Sequence, residues 1–102
     1  MKVIFRPLDK AIEIAESTGL EVTYAYEDLV FSEHSVFILQ FDDLNKSQLM
    51  LYFNKDCTAP TASDLTATMS EKAKEIGFQL VRKGSFSLLE TEGNEEIQIN
   101  FF

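Results

Sequence analysis

The sequence predicts an α+β domain in which one β-α-β-β-β module occurs twice, giving about eight mostly antiparallel strands with two helices on one face. Three observations carry this prediction. Helical patterns end at Gly19 and again at Gly77, and each glycine runs directly into a strand pattern, Leu20-Glu21-Val22 and Phe78-Gln79-Leu80. A strand precedes each helix and further strands follow it, so the 102 residues divide into module one, about 1–44, and module two, about 45–102. Such self-similarity restricts a fold strongly, because each unit must bury an apolar face against its neighbour. The composition supplies the core: 45% of residues are apolar, with nine Phe and three Tyr, so no disulfide or metal is needed for folding.

The elements follow in order. Residues 2–6 read as a strand, and Pro7 suits the first turn of the helix that follows. Leu8, Ala11, Ile12 and Ala15 recur at helical spacing, with Asp9 placed well against the N-terminal dipole. Gly19 supplies a left-handed cap. Strands are expected at 20–26, 29–32 and 36–41, separated by Glu27-Asp28 and by Glu33-His34-Ser35, with a polar junction at 42–46.

Residues 48–54 form a strong strand pattern, and 55–60 a loop. Thr61 with Asp64 resembles a capping box before the second helix, whose face is Leu65, Met69, Ala73 and Ile76. Strands at 78–83, 85–90 and 97–102 close the chain, with Gly93-Asn94 as the last turn. The helix ends of the two halves register 58 residues apart and the last strands 60 apart, a hairpin two residues longer in the second copy. Two helices in any α+β domain can also look duplicated, so the repeat competes with a simple α+β arrangement.

Bulk charge excludes some partners. Seventeen acids against nine bases leave a net charge of −8, which repels nucleic-acid phosphate and anionic lipid. Cationic small molecules or a basic protein partner remain compatible. Cys57 is the single cysteine, which rules out an intrachain disulfide and points to a reducing, cytoplasmic setting. No apolar run approaches the roughly 20 residues that span a bilayer, and the N-terminal apolar stretch is too short for a signal peptide.

Pro7-Leu8-Asp9-Lys10-Ala11 with Gly19-Leu20-Glu21-Val22, and Glu90-Thr91-Glu92-Gly93-Asn94 before Ile97-Gln98-Ile99, carry a resemblance. In these stretches the chain resembles the vicinal oxygen chelate superfamily, which includes glyoxalase I, extradiol dioxygenases and bleomycin-resistance proteins. The resemblance implies tandem modules around a concave sheet, with a metal held by a His on the first strand of a module and a Glu on the last. The chain departs from that pattern. Its first helix has Ile14-Ala15 where the family has Phe-Tyr, Thr91 replaces the turn proline, and Gln98 stands at the position of the final Glu. An amide oxygen is a weak transition-metal ligand, so no metal and no cofactor are expected.

Other chemistry-bearing residues read as ordinary. His34 falls in a hairpin turn, where a solvated imidazole is expected. Cys57 follows Asp56, whose carboxylate would raise a thiol pKa, so a nucleophilic role is not expected. Glu27-Asp28, Asp42-Asp43 and Glu92 with Glu95-Glu96 lie in turns and read as solvated. Arg6 and Arg82, each near a strand end before a turn, could anchor an anion but ordinarily neutralise nearby acids.

Strand alternation provides the candidate site. Phe37, Leu39 and Phe41 share a face, as do Ile97, Ile99 and Phe101, and both sets are expected under the helices. The other face then holds Val36, Ile38 and Gln40 from one half and Gln98 and Asn100 from the other, joined by Tyr52. Such a mixture of amides and apolar side chains suits a modestly polar ligand. A face that simply meets water or a second subunit would show the same alternation.

The leading expectation is therefore a metal-free, non-catalytic protein that binds a small organic molecule through Ile38, Gln40, Tyr52, Gln98 and Asn100. The alternative is an acidic interaction module, an inhibitor, immunity or adaptor protein, with no small-molecule ligand. Strand edges at 2–6 and at Phe102 are candidates for pairing in a homodimer. A metal-dependent enzyme is a third reading, which bound stoichiometric metal would support.

Overall fold

Pro7 starts the first helix, α1, at Leu8–Glu16, and Ala11, Ile14 and Ala15 are its buried side chains. The structure, a computed structural model, describes residues 7–26, 28–45, 47–90 and 97–101. The expected strand at 2–6, with Arg6, lies outside these residues, as do Glu27, Lys46, Phe102 and the turn around Gly93-Asn94. The helical face is rotated from the expected one: Leu8 is exposed and Ile14 enters the core. Positions 11, 14 and 15 have the i, i+3, i+4 spacing of one stripe, so Ile14 displaces Leu8 from it.

The remaining elements are β1 (Val22–Tyr26), β2 (Leu29–Ser32), a 3₁₀ turn at Glu33–Ser35, β3 (Phe37–Phe41), β4 (Gln48–Asn54), α2 (Ala59–Glu75), β5 (Gln79–Glu90) and β6 (Ile97–Phe101). Among the described residues, six strands form one mixed sheet in the order β1-β2-β3-β4-β5-β6. The α+β class is therefore as expected, but the strand count differs. The expected strands at 78–83 and 85–90 are one 12-residue strand, β5, which Gly84 does not interrupt. Arg82 accordingly sits inside a strand, not before a turn.

Four of the five pairings are antiparallel; β4 and β5 are parallel. Parallel neighbours need a long crossover, which the 17-residue α2 provides. Its start is earlier than the Thr61 capping box implied. Thr58 is the extended N-cap residue and Pro60 occupies the first turn, where a missing N–H costs nothing. Thr61 lies inside the helix, its hydroxyl paired with that of Thr58 at 2.9 Å. Of the expected face, Met69 and Ala73 are buried, and Leu65 and Ile76 pack against the core.

Both helices cover the same side of the sheet. Ala11, Ile14, Ala15, Ala62, Met69 and Ala73 form one cluster with Val30, Phe37, Leu39, Phe41, Leu49, Leu51 and Phe53. The sheet residues belong together because Phe37 pairs with Phe53, Leu39 with Leu51 and Phe41 with Leu49, and directly paired residues share a face. Phe37 and Phe53 meet edge-on at 6.3 Å between centroids.

Two register shifts set the faces. Thr23 is the extra residue between the Val22–Ser32 and Tyr24–Phe31 pairs. Lys83 is the extra residue between Leu51–Arg82 and Tyr52–Gly84. Inserting one residue flips every later side chain to the other face. Before Lys83, Leu80 and Arg82 point to the helical side, and Arg82 lies 5.0 Å above the Phe53 ring. After it, Phe86 and Leu88 point away from the helices.

Both helix-to-strand joints use a glycine at positive φ, +89° at Gly19 and +83° at Gly77. At Gly77 the chain makes the two bonds of a Schellman end: Gly77 N–H donates to Lys74 O and Phe78 N–H to Ala73 O. At Gly19 the first bond is kept, to Glu16 O, but Thr18 Oγ1 stands in for the second. It donates to Ala15 O at 2.8 Å and accepts from Leu20 N–H at 3.2 Å. A Cβ at Gly77 would meet no heavy atom within 4 Å, so only the backbone conformation resists a side chain. Gly77→Ala is expected to lower unfolding free energy by about 1–2 kcal/mol in urea titration, with an unchanged m value.

Candidate functional site

The face without helices is the candidate site. Cross-strand pairing lays out its rows: Tyr24 beside Phe31, Phe31 beside Ile38, Ile38 beside Tyr52, and Tyr52 beside Gly84. A second row runs Leu29, Gln40, Met50 and Val81. Phe86 and Phe101 pair on the far side. Gly84 has no side chain, so the Tyr52 ring and the Phe101 ring close over that gap with centroids 4.5 Å apart. Tyr24 and Phe31 form another aromatic pair at 5.7 Å.

Three of the five expected site residues come together. Ile38 is fully buried, and Gln40 and Tyr52 are half-buried beside it. The Tyr52 hydroxyl donates to Gln40 Oε1 at 3.3 Å, and Gln40 Nε2 donates to Asp28 Oδ2 at 2.9 Å. The direction of this chain follows from chemistry: an ionised carboxylate only accepts, so the amide must turn its NH₂ to Asp28 and its oxygen to Tyr52.

The other two differ. Asn100 pairs with Ser87, and Phe101 with Phe86, so alternation puts Asn100 on the helical side. The expectation that Ile99 and Phe101 pack under the helices is corrected by the same register. They share the face of Phe86 and Tyr52, because the extra residue Lys83 reverses the phase of β5 and hence of its partner β6. Gln98 pairs with Leu89 in β6, and its side chain lies outside the described residues. Asp28, Phe31, Phe86 and Phe101 join this face without any signal in the sequence. Asp28 reads there as a turn acid, and nothing local indicates that Gln40 reaches it.

A recess lies at the other end of β3 and β4, away from Gln40 and Asp28. His34, Ser35, Val36, Asn54, Asp56, Cys57, Thr58 and Thr61 line a cleft of about 380 Å³. Its rim is a strained turn, with φ of 58° at His34 and 50° at Ser35. Ser32 holds that turn: its buried Oγ accepts the N–H groups of Val36 and Phe37, each at 3.1 Å. Asn54 adds a bond from Nδ2 to Ser35 O at 3.1 Å.

His34 is solvated as expected, with 82% of its side chain exposed and Glu33 Oε2 3.8 Å away. Burial pushes the Cys57 thiol above its ordinary pKa, against an opposing pull from Arg82. Desolvation, and not the adjacent Asp56, is the cause. A thiol held in its neutral form is a poor nucleophile at neutral pH. Among the described residues, no group of three or more His, Cys, Asp or Glu gathers as a metal site would require. No described helix is long and apolar enough to cross a membrane.

Comparison with known proteins found no matching family model, and no curated protein or solved structure matched the chain. Among the described residues, the fold and face define an α+β arrangement of one sheet with two helices on one side and an aromatic surface on the other.

Proposed function

We propose that this protein is an interaction module that receives a partner protein on the helix-free face of its sheet. The observation that carries the reading is the aromatic surface there. Tyr24 is 56% exposed and Phe101 41% exposed, each in tilted ring contact with a neighbour from the same face. Aromatic side chains on a stiff sheet lose little entropy on docking and dominate the energetics of protein interfaces. The acidic balance of the chain suits a partner of opposite charge.

The test is site-specific photo-crosslinking in cells. A photoreactive phenylalanine analogue at Tyr24 or at Phe101 is expected to give one dominant protein adduct. The same probe at Thr68, exposed on α2, should give none. Equal yields from Thr68 would sink the reading.

A second reading rests on the Tyr52–Gln40–Asp28 chain, a polar arrangement set into an apolar surface. In it, Ile38, Gln40 and Tyr52 hold a small organic molecule without a metal, as in the shape suggested by the vicinal oxygen chelate resemblance. Of the repeated β-α-β-β-β module expected with this reading, the second half keeps β4-α2-β5-β6, one strand fewer, and the matching conformations of Gly19 and Gly77 are what the two halves share. It predicts saturable ligand binding that Gln40→Leu abolishes.

A further inference from the structure

We infer that the partner segment is basic and amphipathic, placing apolar side chains on the aromatic face and a Lys or Arg at its rim between Asp28 and Asp42. This rests on the partner-binding reading of that face. Gln48 alternates with Met50 and Tyr52 on β4, so it shares the helix-free face with Gln40. Each glutamine holds one carboxylate at the rim. Gln40 Nε2 donates to Asp28 Oδ2 at 2.9 Å, and Gln48 Nε2 donates to Asp42 Oδ2 at 3.2 Å.

The two acids are neighbours. Phe41 N–H donates to Asp28 O at 2.8 Å, and Asp42 is the next residue after Phe41. A carboxylate has about four lone-pair sites. Asp28 uses one in the bonds described, and Asp42 uses two, the second for Leu44 N–H at 3.0 Å. Among the described residues, no Lys or Arg forms an ion pair with either acid. Two half-buried, pre-oriented carboxylates beside an apolar surface are complementary to a cation carried on an apolar segment. A second copy of this chain is a poor occupant, since each copy carries a net charge of −8 and the same acids at the rim.

The probe is a phage-displayed library of random peptides panned against the immobilised protein at low salt. Selected peptides are expected to combine Lys or Arg with large apolar residues. As free peptides they should bind Asp28→Asn and Asp42→Asn each about 3- to 5-fold more weakly than the parent. A Tyr24→Ser, Phe101→Ser variant, checked for native circular dichroism, should lose about tenfold or more. Peptides that need Tyr24 and Phe101 but show no basic enrichment would overturn this inference and leave the partner-binding reading standing. Failure to enrich any peptide, or peptides indifferent to both aromatics, would overturn both. Self-association in sedimentation, lost in the aromatic variant, would name a second copy as the occupant and overturn the basic segment.

Discussion

Phe37→Ala is expected to remove about 3–5 kcal/mol of stability, the usual cost of emptying a fully buried phenylalanine site. Phe37 has no exposed surface and shares the main cluster with side chains from both α1 and α2. Its ring meets Phe53 edge-on, so the deletion also forfeits an aromatic pair. Phe53 is fixed at its backbone by pairing with Phe37 and lies under the Arg82 guanidinium, so its ring can fill the space only in part. Domains of this size have about 5–15 kcal/mol in total, so the variant should sit near its unfolding threshold. Guanidinium titration beside Phe37→Leu, a milder change in volume, measures the loss even if the alanine variant is partly unfolded. A loss below about 1 kcal/mol would show that the helical side is not the main core.

Phe86→Ala is expected to cost a similar amount, about 3–5 kcal/mol, although Phe86 faces away from both helices. Its side chain is fully buried, it pairs with Phe101, and its carbonyl accepts Lys55 N–H at 2.9 Å. The result separates two pictures of the sheet. A face that is only a solvated back would tolerate the change within about 0.5 kcal/mol, as surface sites do. A large loss would establish a second buried centre made of Ile38, Phe86 and the rings around Gly84. Calorimetric melting of the parent and of Phe86→Ala decides between them.

The two phenylalanines differ in how far sequence foretells them. Phe37 alternates with Leu39 and Phe41 in a regular strand, so its burial under a helix is legible from a period of two. The half-face of Leu49, Leu51 and Phe53 is legible in the same way, with Tyr52 on the reverse. Phe86 is not. It lies three residues beyond Lys83, and the direction of its side chain depends on whether Lys83 is paired or extra. No local signal decides that. The expected break near Gly84 also misleads, because a glycine inside a strand can mark a place where neighbouring rings close over the backbone.

The candidate site shows the same division. Ile38, Gln40 and Tyr52 are legible together because they lie on the reverse of two strands whose buried faces are plain. Asp28 is not, since its bond to Gln40 spans 12 residues and depends on β2 pairing with β3. Analogy between β6 and β3 puts Asn100 on the wrong side. The two strands alternate alike in sequence, but β6 takes its phase from β5.

What the sequence determined by itself is local: two helices ending at glycines, strands of fixed alternation, and an acidic surface over an apolar interior. These follow from backbone sterics, side-chain period and charge, which act over a few residues. The tertiary structure alone decided that β4 and β5 run parallel, that residues 79–90 form one strand, and that Phe86 and Phe101 join Tyr52. The reason is that alternation tells which side chains share a face, whereas pairing register tells which face it is, and one extra residue at Lys83 reverses the answer.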